Sequence, residues 1–190
     1  MMPHSKHEIR SRLRRARKSL SGRERRRATL AANRNLKKLL KRGKKLAVYW
    51  PVGSELVLDD LVRSAFKRGV QVYLPYIEKR SLRLWFTPYH AGLSPERNRK
   101  GRLNIPQFQG KKIRAEHMDA MLLPLVGVDA QGCRLGQGGG YYDASLLYAR
   151  FGRPLKIGVG FACQMVPALP REAHDMRLDA FVSERGAVWF

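Results

Sequence analysis

The residues best suited to chemistry lie in a glycine-rich run that begins with an arginine and ends with an aspartate. Residues 134–143 read Arg-Leu-Gly-Gln-Gly-Gly-Gly-Tyr-Tyr-Asp. Glycines between a strand and a helix let backbone N–H groups turn inward and form a concavity that binds phosphate, helped by the positive end of the helix. Arg134 is a fixed cation able to grip phosphate oxygens, and Asp143 is an oxygen ligand suited to Mg²⁺ bound to a nucleotide. The run therefore predicts a phosphate-binding turn.

A purely structural interpretation of the same run is also open. The run lacks the G-x-x-x-x-G-K-[ST] spacing of a P-loop and does not match the dinucleotide-binding fingerprint. Its glycines would equally suit a tight turn with positive φ angles, in which Asp143 starts the next helix and pairs with Arg134. The combined pattern of arginine, glycines, tyrosines and aspartate is more specific than any of its parts.

Two basic helices are predicted at the beginning of the chain. Apolar residues recur at helical spacing over residues 5–20, with arginines around them. Ser21, with Glu24 three residues later, forms the capping box of a second helix that runs to Arg42. We expect both helices to pack on the rest of the chain through their apolar faces.

Short apolar runs then alternate with helical spacing. Residues 46–50 predict a buried strand that ends at Pro51, residues 57–68 predict a helix, and residues 70–74 predict a strand that ends at Pro75. A strand, a helix and a strand joined by short links predict a βαβ unit and a parallel sheet.

The rest of the chain extends this sheet. The alternating stretch 81–87 predicts an edge strand, and the long apolar run 118–128 predicts a central strand. Further elements are expected as one helix over 141–151 and strands over 156–161, 179–183 and 187–190. The fold class predicted for residues 1–190 is a single α/β domain with a mostly parallel central sheet flanked by helices. This is a Rossmann-like three-layer arrangement, with residues 1–45 as a basic N-terminal helical hairpin packed on it.

Positive charge is concentrated at the beginning of the chain. The net charge is +23, and residues 1–45 hold 18 Lys and Arg against two acidic residues. Such a segment attracts RNA with strong salt dependence, and small anions such as ATP as well. It also suits a solvated helix face, and no aromatic residue for base stacking occurs before Tyr49. We expect at most a non-specific nucleic-acid contact here.

Composition favours a cytoplasmic protein. No apolar run approaches the ~20 residues needed to span a bilayer, and the N-terminal segment lacks the apolar stretch of a signal peptide. Cys133 and Cys163 lie far apart without CxxC spacing, which favours reduced thiols. We expect no membrane contact.

Several motifs together resemble one family. Residues 123–129, which read Leu-Pro-Leu-Val-Gly-Val-Asp, and the following run 132–143 closely resemble the signature of the 5-formyltetrahydrofolate cyclo-ligase family. The segment 104–107 looks like the family's central Ile-Pro segment, and the resemblance covers nearly the whole chain. The family's C-terminal pattern is resembled by Phe161, Gln164, Pro167, His174 and Asp175.

The resemblance implies a role for each matching residue. The implied ATP-binding residues are Lys6, Arg10, Arg134, Leu135, Gly136, Gln137, Gly138, Gly139, Gly140, Tyr141 and Tyr142. Arg134 is also the implied catalytic residue. The implied folate-binding residues are Trp50, Glu55 and Tyr142, and the implied magnesium ligands are Asp143 and Asp175. Which of the two tyrosines meets the folate is left open by the sequence.

Some of these positions have simpler explanations or depart from the family. Glu55 could cap a helix that begins near Leu56, and Trp50 could be a core residue. Phe108 stands where proline is common. Gly139 replaces a lysine of some relatives, so any cation needed there must come from elsewhere.

The resemblance implies an ATP-dependent cyclisation of 5-formyltetrahydrofolate to 5,10-methenyltetrahydrofolate, with release of ADP and phosphate. The γ-phosphoryl group is transferred to the formyl oxygen, and N10 of the folate then attacks the activated carbon. The site must align the reacting atoms and neutralise developing charge. We expect a monomer that uses Mg²⁺, ATP and 5-formyltetrahydrofolate.

Two other classes compete with this enzyme. One is a basic nucleic-acid-binding protein that uses the N-terminal helices, and it is weakened by the missing aromatic residues. The other keeps the fold but binds a sugar phosphate or coenzyme A, and it leaves the pair Trp50 and Glu55 without a purpose.

Overall fold

The computed structural model describes residues 5–90, 92–98, 105–148, 153–172 and 175–190. This part of the chain begins with two helices, and a serine caps the N-terminus of each. Helix α1 spans Lys6–Lys18 and helix α2 spans Gly22–Lys37. The capping box predicted at Ser21 is confirmed, and Ser5 forms the same cap on α1.

Helix α2 ends at Lys37, so the predicted end at Arg42 is wrong. The chain has to turn beyond the helix to enter the central sheet. Gly43 takes up a φ of 74° and donates its N–H to the carbonyl oxygen of Gly69 over 2.9 Å. This contact fixes the start of the first strand beside the end of the next helix.

The described residues contain twelve strands, and seven of them form one sheet. In chain order they are β1 (Lys45–Ala47), β2 (Gln71–Tyr76), β3 (Trp85–Pro88), β4 (Arg97–Asn98), β5 (Pro106–Gln107), β6 (Ala120–Pro124), β7 (Gly127–Asp129), β8 (Arg134–Leu135), β9 (Leu155–Val159), β10 (Met165–Val166), β11 (Ala180–Ser183) and β12 (Gly186–Trp189). The order in the large sheet is β12-β11-β9-β6-β1-β2-β3, with β12 and β3 antiparallel at the edges and the others parallel. The predicted mostly parallel sheet is confirmed.

Helices cover both faces of this sheet. On one face α2 and helix α3 (Asp59–Lys67) bury Leu36 and Leu61. On the other face the short helix α4 (Tyr141–Leu146) buries Leu146. Helix α4 ends well before the predicted residue 151, and residues 149–152 lie outside the described part. The three-layer arrangement predicted from the sequence is present.

The apolar run 118–128 is two strands rather than the single one predicted. The run forms β6 in the central position of the large sheet and then β7, which pairs with β8 and β10 in a smaller sheet. The break falls at Leu125 and Val126, whose carbonyl oxygens accept hydrogen bonds from the Gln164 amide at 2.8 and 3.1 Å. The side chain replaces the ladder partner that these carbonyls would otherwise need. The glycine run therefore follows β8 and not the central strand.

Strand β2 runs through Pro75, although the sequence predicted that it ends there. Pro75 has no N–H to donate, so it is tolerated where only one neighbour pairs with the strand. In this part of β2 the partner is β3, where Pro75 lies opposite Phe86, because β1 pairs only with residues 71–73.

Two further expectations concern thiols and membranes. Cys133 and Cys163 are both free thiols, the first buried and the second exposed. Among the described helices, none combines the length and the apolar character needed to cross a bilayer.

Candidate functional site

One face of helix α1 carries four cations, Lys6, Arg10, Arg14 and Arg17, at spacings of four, four and three residues. Side chains at these spacings lie on the same side of an α-helix. Each of them donates a hydrogen bond to a residue distant in the chain. We call these four residues the cation row.

Apolar contacts hold the cation row in place. Ile9 and Leu13, on the adjacent face of α1, are buried against Val126 and Leu135. Burying two such side chains contributes roughly 1.5–3 kcal/mol each. The helix lies so close that a Cβ atom at Gly127 would overlap the side chain of Leu13. The apolar face of α1 therefore holds the helix together with the hydrogen bonds of its cations.

The first two members of the cation row reach predicted site residues. The ammonium of Lys6 lies 2.8 Å from Asp175 Oδ2 and 2.9 Å from Glu172 Oε1. Partial burial acts to lower the pKa of Lys6, but the hydrogen bonds to these two carboxylates outweigh it and raise that pKa. Arg10 donates from Nε to the carbonyl oxygen of Gly136 over 2.9 Å. The structure thus brings Lys6 to Asp175 and Arg10 to the glycine run.

The other two members were not identified from the sequence. Arg14 donates from Nη2 to Oε1 of Gln137 over 2.8 Å. Arg17 is buried and donates to Ser54 Oγ at 2.9 Å and to the carbonyl of Leu125 at 3.4 Å. Burial lowers the pKa of Arg17. The sequence did contain a signal, since both arginines share the helical phase of the first two members of the row.

The glycine run forms a tight turn that only glycine can make without strain. Gly138 has a φ of 99°, and Gly140, which precedes α4, has a φ of 67°. Side chains with a Cβ rarely adopt such angles. The guanidinium of Arg10 lies beside this turn, with its Cζ 3.8 Å from the place of a Cβ on Gly138. The turn therefore lies against a cation supplied by α1.

Arg134 and Asp143 pair across the turn, as the structural interpretation of the run predicted. Nη2 of Arg134 lies 2.8 Å from each carboxylate oxygen of Asp143, and Nη1 lies 3.3 Å from the carbonyl of Pro124. The side chain of Arg134 is only 4% exposed. The pair closes one end of the turn, and a bound anion would share the guanidinium with Asp143.

Glu55 lies against the same turn from the opposite side. It is 8% exposed, and its Oε1 accepts a hydrogen bond from the Gln137 amide at 2.9 Å. Its Oε2 accepts the backbone N–H of Val52 at 3.0 Å. Helix α3 begins at Asp59 and has no side-chain cap, so the alternative that Glu55 caps it is wrong. The turn, the cation row and Glu55 form one connected group.

Trp50 lies on an aromatic cleft and not in the core. The side chain is 36% exposed, so the alternative of a core tryptophan is wrong. The cleft has a volume of about 250 Å³ and is also lined by Phe66 and Tyr89. Phe108 connects the rings, with centroids 6.2 Å from Trp50 and 5.0 Å from Tyr89. The residue that departs from the family pattern is thus buried and packs against two rings of the cleft.

The two tyrosines at the start of α4 differ in surroundings. The centroid of the Tyr142 ring lies 5.8 Å from Cζ of Arg134. Burial raises the pKa of the Tyr142 phenol well above its usual range, and the negative charge of Glu55 adds to the rise. Tyr141 instead packs beside Gly139. Tyr142 is therefore the tyrosine on the Glu55 side of the turn.

The two implied magnesium ligands are already paired with cations. Asp143 pairs with Arg134, and Asp175 with Lys6. Within the described ranges, no three His, Cys, Asp or Glu side chains cluster closely enough to hold a metal ion by themselves. Residues 104 and 174 of the family-like segments fall outside the described part of the chain.

Comparison with known proteins decides the family. The model of the 5-formyltetrahydrofolate cyclo-ligase family matches residues 2–184. The chain belongs to this family. A 5-formyltetrahydrofolate cyclo-ligase of Escherichia coli (strain K12) is 32% identical over 146 residues, which are 76% of this chain and 79% of the relative.

Solved structures agree with this cyclo-ligase assignment. The NMR structure of Aquifex aeolicus 5,10-methenyltetrahydrofolate synthetase is 30% identical in sequence to this chain and has a TM-score of 0.78. The match covers 97% of this chain and 92% of the Aquifex chain. The corresponding synthetase of Mycoplasma pneumoniae has a TM-score of 0.77, covers 95% of this chain and 99% of its own, and at 22% identity supports the fold alone.

The candidate site has two parts that meet at Gln137. One part is the glycine turn with the cation row, which offers backbone N–H groups and guanidinium groups to an anion. The other part is Glu55 with Tyr142, which offers a carboxylate and a phenol to a heterocycle. Such a site can hold a polyphosphate next to a ring that donates hydrogen bonds.

Proposed function

We propose that this chain catalyses the ATP-dependent cyclisation of 5-formyltetrahydrofolate to 5,10-methenyltetrahydrofolate, releasing ADP and phosphate. The observation that carries the proposal is the direct hydrogen bond between Glu55 and Gln137 of the glycine turn. It links a group suited to the folate with a group suited to the nucleotide. A family member needs both substrates in contact, because the reaction joins an atom of one to an atom of the other.

The chemical difficulty is that the formyl oxygen is a poor leaving group. Its bond to the γ-phosphorus of ATP forms as the bond from that phosphorus to the ADP oxygen breaks. The lone pair of N10 then attacks the activated formyl carbon, and the oxygen leaves with the phosphate. The protein has to align these atoms and neutralise charge, and it needs no nucleophile of its own.

The cation row and the glycine turn bind the triphosphate in this scheme. Lys6 and Arg10 neutralise phosphate oxygens, and the backbone N–H groups of residues 136–140 donate to them. Gly139 stands where some relatives have a lysine, so this chain lacks that cation. Arg14, which is hydrogen bonded to Gln137, supplies a cation in its place.

Arg134 stabilises the transferring phosphoryl group. Its guanidinium is buried and held by Asp143 and the Pro124 carbonyl, so it is oriented before the substrate arrives. A preoriented cation stabilises charge in the transition state without reorganising. Replacing it should therefore slow catalysis more than it weakens binding.

Asp143 and Asp175 would hold Mg²⁺ together with the nucleotide. Mg²⁺ commonly takes one or two carboxylates, with phosphate oxygens and water as the other ligands, so a pair of aspartates fits. Mg²⁺ held there would supply positive charge that offsets the charge of the phosphates. Both carboxylates would then share their present partners, Arg134 and Lys6, with the incoming phosphates.

Glu55, Trp50 and Tyr142 position the folate. Glu55 accepts hydrogen bonds from the pterin, and Tyr142 lies on the same side of the turn. The exposed ring of Trp50 offers an aromatic surface at the mouth of the cleft. This arrangement supports Tyr142, and not Tyr141, as the tyrosine that meets the substrate.

An absorbance assay tests the proposal. The methenyl product absorbs in the near ultraviolet, where the substrate does not. Mixing the protein with 5-formyltetrahydrofolate and Mg-ATP should give a rise in absorbance that is lost when ATP is omitted. A folded protein that gives no ATP-dependent rise would contradict the proposed function.

Four features of the chain stay predictions from the sequence: the single domain over residues 1–190, the monomeric state, the cytoplasmic location and non-specific contact with nucleic acid. The last is supported by the solvent face of α2, where Arg23, Arg27 and Arg34 are exposed. Family membership favours the enzyme over a nucleic-acid-binding module, or over a binder of sugar phosphate or coenzyme A, as the principal function.

A further inference from the structure

The side-chain amide of Gln137 bridges the two parts of the site. Its Oε1 accepts from Arg14 at 2.8 Å, and its Nε2 donates to Glu55 at 2.9 Å. The orientation of the amide is fixed by its partners, because a guanidinium can only donate and a carboxylate can only accept. Gln137 therefore cannot exchange its two contacts.

Each carboxylate oxygen of Glu55 accepts a hydrogen bond while this bridge exists. Val52 donates to one oxygen and Gln137 to the other, and the carboxylate is buried. A hydrogen bond to a charged group is among the stronger ones in proteins. Each oxygen can accept a further donor, but the donors share its negative charge, so a pterin binds Glu55 more strongly once the Gln137 amide has left.

Occupation of the turn favours release of the bridge. The amide oxygen of Gln137 is a neutral acceptor for Arg14, whereas phosphate oxygens are charged and bind a guanidinium more strongly. Gln137 lies between Gly136 and Gly138, so the backbone on both sides is free of side chains that would resist movement. Phosphates that recruit Arg14 would free the amide to leave Glu55.

We propose that Gln137 is a positioning residue that couples the two substrates. It holds Glu55 while the turn is empty and releases it when a nucleoside triphosphate binds, so that the nucleotide increases the affinity for the folate. Coupling of this kind is reciprocal, and the folate increases the affinity for the nucleotide by the same factor. The inference rests on the proposed function and adds an order of binding to it.

Calorimetry on the full chain tests the coupling. The dissociation constant of 5-formyltetrahydrofolate is measured with and without a non-hydrolysable ATP analogue and Mg²⁺. In the wild type we expect the analogue to lower this constant about tenfold. In Gln137→Ala the folate should bind about tenfold more tightly than to the wild type when the analogue is absent. The analogue should then change the constant by less than about twofold.

Two further variants separate coupling from damage to the turn. Gln137→Glu keeps the size of the side chain but cannot donate to Glu55, so it should lose the coupling as well. Gln131→Ala, at an exposed glutamine outside the turn, should keep the wild-type ratio. A wild-type ratio near one, or an unchanged ratio in Gln137→Ala, overturns the coupling while catalysis stays intact. A wild type that binds neither ligand and gives no absorbance rise overturns the proposed function itself.

Discussion

Helices α1 and α2 are both rich in arginine, and they direct their cations to different places. In α1 the cation row is hydrogen bonded to the glycine turn and its neighbours. In α2 the exposed residues Arg23, Arg27 and Arg34 form no ion pair and no side-chain hydrogen bond within the described ranges. Two adjacent helices of similar composition thus differ in what their charges contact.

Helical phase explains the difference. In α1 the cation row lies next to the buried side chains Ile9 and Leu13, so it faces the protein at the border of the apolar contact. In α2 the exposed arginines lie opposite the buried residues Ala32 and Leu36, so they face the solvent. Charge density alone therefore does not identify the cations that contact the rest of the protein, whereas their position relative to the buried stripe does.

The largest effect is expected at Arg134, the buried cation that acts together with the cation row of α1. Arg134→Ala removes a preoriented guanidinium and leaves Asp143 without its partner, so kcat should fall by about a thousandfold, or roughly 4 kcal/mol. The absorbance assay at saturating substrates measures it. Arg134→Lys keeps the charge but not the two-point contact with Asp143, and it should recover only part of the rate. Near-normal turnover of the alanine variant would show that Arg134 is structural.

Two leucine variants test whether the buried apolar face of α1 stabilises the protein. Leu13→Ala should lower the free energy of unfolding by about 2–4 kcal/mol, because Leu13 is buried and leaves a cavity beneath α1. Leu30→Ala on the exposed face of α2 should change it by less than about 0.5 kcal/mol. Denaturant titration of both variants gives the two values. Equal losses would mean that α1 is not held by its apolar face.

A matched pair on α1 separates the two sides of one helix. Arg10→Gln loses the contact with Gly136 and a cation beside the turn, so kcat/KM for ATP should fall by roughly 10- to 100-fold. Arg12→Gln removes the same charge from the solvent side and should stay within about twofold of the wild type. Similar losses in both variants would mean that net charge, and not the cation row, attracts the nucleotide.

The smallest catalytic effect is expected on α2. The triple variant Arg23→Gln, Arg27→Gln, Arg34→Gln should turn over like the wild type. Its binding to an RNA duplex, followed by fluorescence anisotropy, should show a salt slope smaller by about 2–3, since each lost phosphate contact removes about 0.7–0.9.

A triple variant with the same loss of charge elsewhere is the control for α2. Lys79→Gln, Arg80→Gln, Lys111→Gln changes three exposed cations that lie outside α1, α2 and the neighbouring helix α3. Its salt slope should remain close to that of the wild type. If the salt slope decreases equally in both triple variants, RNA binding depends on the net charge of the chain and not on α2.

Local patterns predicted the elements of this fold well. The capping box at Ser21 and the parallel unit around β1 and β2 follow from spacing and turn residues, and both are present. The division of the apolar run 118–128 did not follow, because it depends on Gln164 reaching the carbonyls of Leu125 and Val126 from another part of the chain. Periodicity carries no information about such distant partners.

The candidate site was predictable to a similar degree. The glycine run with Arg134 and Asp143 was visible as a motif, and so was the alternative in which they pair. The contact of Gln137 with Glu55 joins residues 82 positions apart in the chain, which no local pattern contains. Arg14 and Arg17 were missed because their meaning depends on what the adjacent face of α1 contacts.

Because residue 127 is a glycine, α1 can lie close to β7, and the proposed nucleotide site depends on this position although it touches no ligand. An alanine there would act as a wedge under the middle of α1, at the level of Leu13. Because a helix tilts as a rigid rod, Arg10 and Arg14 would withdraw from the turn together. One added methyl group would thus have the effect of losing two charged side chains.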